Sequence, residues 1–342
     1  MFPLRYIPVS VLAALVGVSL FTSCWRDAAE GEPIVLYSGR SAAIMGPLLE
    51  AFKQDTGLDV QAQWGSSTAD LANLVAADGD LTPCDLFLAQ DSGHLSALAR
   101  AGLLAPLPRD VLDAVGEAFR DPGERWVGTS GRVRVLVHRP GFPAAQLPAT
   151  LEAVAELASG LRFGWAPGNA SFEAHIAGLV DAWGEERART WLTRLATRDP
   201  EPVRFNSNSA QVAAVARGSI DVGWVNHYYL HKQRVQDPSL EAVNYSFPTR
   251  GDAGNVLIVA GIGVTAPAGP RRERALALAR FLVSERAQRF FAEEVFEYPL
   301  RPGIDTAGGV PPLDDIGLSD IDIEALTRVD QAVRLLTEVG VR

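Results

Sequence analysis

The residues best suited to chemistry are two adjacent tyrosines, Tyr228 and Tyr229. They follow the stretch Ser219-Ile220-Asp221-Val222-Gly223-Trp224-Val225-Asn226-His227, whose apolar alternation predicts a short buried strand. They open a run, Leu230-His231-Lys232-Gln233-Arg234, that reads as the first turns of a helix with Asn226 as its cap. Neighbouring side chains on a strand point to opposite faces, but at a helix start they diverge by about 100° and can converge on one object. A phenol has an ordinary pKa of about 10, so it ionises at neutral pH only beside a strong positive charge. A hard trivalent cation such as Fe(III) supplies that charge, and phenolate oxygens match its hardness. The competing reading is a pair of packed aromatics with wet hydroxyls.

Other reactive types offer less. His227 and His231, spaced i and i+4, could face one metal, but no HExxH pattern or further His–carboxylate cluster accompanies them. His94, His138 and His175 stand alone. Cys84 precedes an apolar strand and reads as a small buried filler, with no histidine arrangement that would make it a nucleophile. No nucleophile–base pair is evident, so no catalytic residue is assigned and the chain is not expected to be an enzyme.

The elements that must position the tyrosines alternate. Ile34–Tyr37 predicts a strand, Ser38-Gly39-Arg40 a turn, and 42–56 an amphipathic helix ending at Gly57. Strands at 58–64 and 85–89 follow, with a helix at 69–78 between them. Such alternation implies a mostly parallel sheet flanked by helices, with ligands at the carboxyl ends of the strands. Ser38-Gly39-Arg40 and Gln90-Asp91-Ser92 occupy such ends. The run Trp126 to His138 is long enough to leave one lobe and enter another. A second alternating block contains the turn 167–171 entering a helix at 172–183, and 206–209 entering a helix at 210–217. Asn255 to Val264 crosses back, and 271–294 is helical. Two crossings between two α/β lobes describe a hinged clamshell.

The 342 residues suffice for one large or two medium domains. With 31 basic against 41 acidic residues, a net charge of −10 and no basic run, a nucleic-acid or anionic-membrane surface is excluded. Residues 1–23 read as a signal peptide, with a charged start and an uncharged apolar run too short for a permanent span. Leu20-Phe21-Thr22-Ser23-Cys24 resembles a bacterial lipoprotein box, which makes Cys24 the lipidated first residue and 24–32 a tether. An ordinary cleaved signal and an uncleaved anchor remain alternatives.

The ordered segments Leu36-Tyr37-Ser38-Gly39-Arg40, Pro83 to Phe87, Ala101 to Leu107, Trp126-Val127-Gly128, Gly131 to Val135, Asn226-His227-Tyr228-Tyr229 and Glu297-Tyr298-Pro299-Leu300 carry a resemblance. The chain resembles the bacterial iron(III) ABC-transporter substrate-binding proteins, the ferric-ion-binding group of type 2 periplasmic binding proteins. That resemblance implies a two-lobed α/β clamshell, with 33–132 plus 260–342 as one lobe and 133–259 as the other. It implies Tyr228 and Tyr229 as ligands of Fe(III). It also implies a synergistic anion, carbonate or phosphate, in a cleft lined by Ser38, Gly39, Arg40, Gln90, Arg132, Asn169, Ser171, Asn208 and Asn226. Helix N-termini suit such an oxyanion independently, although each Ser or Asn could equally be a plain cap and each Arg a structural ion pair. The resemblance further implies a monomer outside the cytoplasm, touching the membrane only through its lipid and delivering iron to an ABC permease. Many relatives have a third tyrosine in the loop that is 167–171 here, and this loop has none. A clamshell binding a small anion such as a phosphonate, or another small solute, without iron is therefore the alternative.

Overall fold

The computed structural model describes residues 31–342 except 66 and 158. The signal peptide, Cys24 and most of the tether lie outside the described residues.

The strands are β1 (Ile34–Ser38), β2 (Val60–Trp64), β3 (Leu86–Ala89), β4 (Val127–His138), β5 (Phe163–Trp165), β6 (Val203–Arg204), β7 (Val222–Asn226), β8 (Val243–Tyr245) and β9 (Leu257–Val264). Helices α1 (Ala42–Thr56), α2 (Thr68–Asp78), α3 (Ser92–Arg100) and α4 (Arg109–Leu112) belong to the first half. The second half contributes α5 (Ala170–Trp183), α6 (Glu185–Ala196), α7 (Asn208–Ala216) and α8 (Tyr228–Gln236). Helices α9 (Arg272–Leu282), α10 (Glu285–Phe290) and α11 (Val329–Glu338) complete the chain.

The strands lie in the order β2-β1-β3-β9-β4-β7-β5-β6, with β8 also on β4. β1 runs parallel to β2 and β3, and β5 runs parallel to β6 and β7, as βαβ units require. The long strand β4 joins the two lobes. Its residues Val127 to Val133 pair with β9, whereas Arg134 to His138 pair with β7 and β8. Partner exchange between Val133 and Arg134 puts the first crossing beneath the Arg132–Arg134 segment.

Local chemistry explains the boundaries. α1 stops where Gly57 takes a left-handed conformation at φ 73° and its N–H closes onto the Lys53 carbonyl. Ser67 caps α2 and Ser207 caps α7, each accepting a backbone N–H. Trp165 and Trp224 are core residues, packed edge-on against Phe172 in the second lobe. Cys84 is fully buried, and burial pushes its thiol well above the ordinary range, which fits an inert filler.

Two readings of the sequence need correction. Asn226 does not cap α8: no side chain caps that helix, and the Asn226 amide turns inward to Ser171. The stretch 260–342 does not stay on the first lobe. Its last part packs on α5, where Ala332, Leu335 and Leu336 of the amphipathic helix α11 join the core of Trp165, Trp191 and Trp224. Each buried leucine contributes about 2 kcal/mol, enough to hold the tail on the second lobe. The chain thus crosses three times, not two.

Candidate metal and anion site

β7 ends at Asn226 and α8 begins at Tyr228, so both tyrosines sit in the first turn of the helix, at the carboxyl end of a buried strand. Their rings stack, with centroids 4.2 Å apart and planes 28° from parallel. Tyr228 is buried and Tyr229 half-buried. Burial pushes the Tyr228 phenol well above its ordinary range, and the nearby Tyr229 and Glu297 push the same way, with Arg132 opposing them. Left to itself this hydroxyl stays protonated. Only a strong added positive charge turns it into a phenolate.

Three buried arginines surround the pair. Arg40, in the turn after β1, donates to Glu297 at 2.7 Å, and Glu297 also accepts from the Ser130 hydroxyl at 2.5 Å. Burial alone would raise the Glu297 carboxyl, but Arg40 and Arg132 hold it below the usual carboxylate range. Arg132 donates to the Gln90 carbonyl. Arg134 donates to Asn208 Oδ1 at 3.1 Å, Asn226 Oδ1 at 3.3 Å and the Trp224 carbonyl at 3.0 Å. Burial pushes Arg134 down to about 9, against the pull of Tyr229 and Tyr228, so it remains a cation at neutral pH.

The expected cleft residues fall into two groups. On the first lobe the Ser38 hydroxyl donates to the Arg40 carbonyl and accepts from the Arg40 N–H, which sets the turn rather than leaving a free ligand. A Cβ on Gly39 would lie 2.1 Å from Thr68 Oγ1, so only glycine lets this turn press against the start of α2. Gln90 contributes backbone: its carbonyl to Arg132, its N–H to Thr68 at 3.4 Å. On the second lobe Asn169 accepts from the Ser171 N–H at 3.2 Å, and the Asn226 amide donates to Ser171 Oγ at 3.1 Å. Asn208 Oδ1 accepts both Arg134 and the Asn226 N–H. One network therefore ties the starts of α5, α7 and α8 together.

What this network lacks is acceptors. Nη1 of Arg40, Nε and Nη1 of Arg132, Nε of Arg134 and Nδ2 of Asn208 are buried with no partner among the described residues. All are donors. Buried donors left without a partner are costly, and acceptor oxygens are the chemistry that would satisfy them. Arg134, Glu297 and Ser130 escaped the sequence reading. The signal was there for Arg134, since arginine is rarely fully buried and here alternates with Val133, Val135 and Val137 in the second half of β4.

Residues 34–297 match the bacterial extracellular solute-binding protein family. The chain belongs to that family. Solute-binding proteins of this kind are not enzymes and work outside the cytoplasm. This one is 27% identical over 332 residues to the Fe(3+)-binding periplasmic protein of Serratia marcescens, covering 96% of each chain. Iron-bound HitA from Pseudomonas aeruginosa superposes with a TM-score of 0.82 at 28% identity, over 90% of this chain and 99% of that one. A Trichodesmium protein in complex with iron and citrate superposes at 0.78 with 26% identity, over 91% and 100%.

In this solute-binding protein the two histidines beside the tyrosines serve the scaffold. His227 Nδ1 accepts from the Val133 N–H at 3.1 Å and Nε2 donates to the Phe296 carbonyl at 2.8 Å, so both ring nitrogens are occupied. His231 Nδ1 donates to the Gly308 carbonyl at 2.9 Å. Among the described residues, no group of three or more His, Cys, Asp and Glu is placed to hold a metal. The i, i+4 histidine pair is thus spent on backbone.

An acid sensitivity follows. Burial pushes His227 down to about 4 and, with Arg134 adding to it, His175 down to about 3. An unfolded histidine binds its proton near pH 6.5. Between those values the unfolded chain holds more protons, so stability is full above about pH 6.5 and falls as pH drops toward 4. His227 alone accounts for about 3 kcal/mol across that window. Thermal melts of the metal-free protein at pH 7, 6, 5 and 4 should show a steadily falling Tm. A Tm that stays flat to pH 4 would contradict neutral burial.

Proposed function

We propose that this protein captures Fe(III) between its two lobes on Tyr228 and Tyr229, with a synergistic anion on the arginine donors, and delivers it to an ABC permease. The observation that carries the reading is the stacked tyrosine pair set among three buried arginines, of which only Arg40 and Arg132 act on a carboxylate, Glu297. Phenolates neutralise a trivalent ion, and the arginines draw in an anion that fills its remaining positions. Carbonate and phosphate both fit donors without acceptors. The names of the similar proteins, ferric-binding in Serratia and iron-bound in Pseudomonas, support iron as the cargo. Lipidation at Cys24 and a monomeric state belong to the same proposal.

A visible absorption titration of the soluble mature chain with ferric citrate, with and without bicarbonate, tests it. A charge-transfer band saturating at about one iron per chain is expected, because phenolate bound to a hard cation is the species the site is built to form. No band under either condition would sink the tyrosine reading. The absence of a tyrosine in the loop 167–171 favours one second reading, a small anion bound without iron. Under that reading, phosphate or a phosphonate raises the Tm of metal-free protein while iron does nothing.

A further inference from the structure

The third crossing reaches both lobes at the edge of the cleft. It leaves the first lobe near Ile316, where the buried Asn255 donates to the Ile316 carbonyl at 2.9 Å and to the Phe247 carbonyl at 2.8 Å, tying the second and third crossings together. It then runs through a helical turn at Ala325–Thr327 to α11 on the second lobe. Between these ends Ile321 and Leu326 share a small apolar cluster with Ala174 of α5 and with Val256 and Ile258 of the crossing into β9. A Cβ on Gly178 of α5 would stand 2.8 Å from both Ile321 and Leu326. A Cβ on Gly93 of α3 would stand 2.6 Å from Thr327 Cβ. Glycines on opposite lobes thus let the same turn press in from either side. Ion pairs repeat the pattern: Arg100 of α3 reaches Glu324 at 3.6 Å, and Arg328 reaches Asp181 of α5 at 2.7 Å.

The two grips are unequal. On the second lobe the segment is continuous with α11 and its buried Leu335 and Leu336. On the first it holds through Gly93, Ile258, the part-buried Ile323 against the core that includes Leu95 and Leu98 of α3, and an exposed ion pair, with no helix of its own buried there among the described residues. A hinge that opens separates the weaker contact first. The contact also sits beside the function: α3 starts just after Gln90, and α5 just after Asn169.

We propose that residues 321–327 form a latch, anchored on the second lobe, that grips α3 and holds the lobes closed, with Leu326 and Thr327 as its positioning residues. Its iron readout rests on the ferric-binding reading; its lobe-closure readout does not. Gly93→Ala pushes the turn off α3 while favouring the α3 helix itself, and Leu326→Ala empties the cluster. In the full mature chain, each should release bound iron to an excess of chelator about tenfold faster than wild type. The charge-transfer band should keep its position, because neither residue touches the tyrosines. Small-angle scattering of the metal-free variants should give a larger radius of gyration.

Glu324→Arg, on the surface and harmless to folding, should accelerate release more weakly, and added salt should reduce that effect. Wild-type release rates and scattering in all folded variants would overturn the latch. If wild type forms no iron band at all, the ferric reading fails and the scattering comparison still decides the latch.

Discussion

Tyr228→Phe and Tyr229→Phe should each weaken iron binding by at least about 100-fold and remove most of the visible band. Groups that merely orient a metal ligand cost about 10–100-fold when lost, so loss of a ligand itself must reach the top of that range or pass it. The fold should survive. Phenylalanine keeps the stacked ring and its packing, and among the described residues neither hydroxyl has a hydrogen bond to backbone. Thermal stability of the metal-free variants should therefore change by no more than about 1 kcal/mol. Ser171→Ala is the useful contrast. It removes one acceptor for the Asn226 amide, at 3.1 Å, and leaves both phenols in place. Its cost to binding should be about that of one hydrogen bond, roughly five- to tenfold. Isothermal or competition titrations of the three variants decide the matter. Equal losses from all three would mean that the anion network, not the phenols, dominates affinity.

The fold was legible because its elements announce themselves. The period of the apolar residues placed β1, β3 and most helices to within two residues and β7 inside the stretch 219–227, and Gly57 and Ser67 marked helix ends by their own chemistry. The tyrosine pair was legible for the same reason: a strand-to-helix junction brings consecutive side chains together. What could not be read was long-range pairing. Glu297 lies 257 residues from Arg40, and nothing local says that they meet. The role of Arg134 depends on Asn208 and Asn226, which α7 and β7 deliver from far along the chain. The tail failed for a different reason. Its helix α11 is plainly amphipathic, but amphipathicity names a buried face without naming the partner, and the nearer lobe in sequence is not the one that offers the matching groove.

Iron affinity should rise steeply with pH, by about a factor of 100 per unit between pH 6.5 and 8. An ordinary phenol ionises near pH 10, and burial, with Tyr229 and Glu297 beside it, holds Tyr228 above that. In the metal-free protein the proton is therefore bound at pH 7, and forming a phenolate–iron bond must release it. Each proton released adds one logarithmic unit of affinity per pH unit, so two phenols give a slope of about two. The sign is fixed by this release: lower pH favours the protonated phenols and empties the site. If bicarbonate enters as carbonate, it loses a further proton and the slope rises to about three; a phosphate already ionised leaves it near two. Competition against a chelator of known pH dependence, with carbonate excluded and then restored, reads the phenol count and the anion from the same plot. A slope near one would leave a single phenolate on the metal. A slope near zero would mean that neither tyrosine ionises. The three arginines would then be holding an anion that needs no iron.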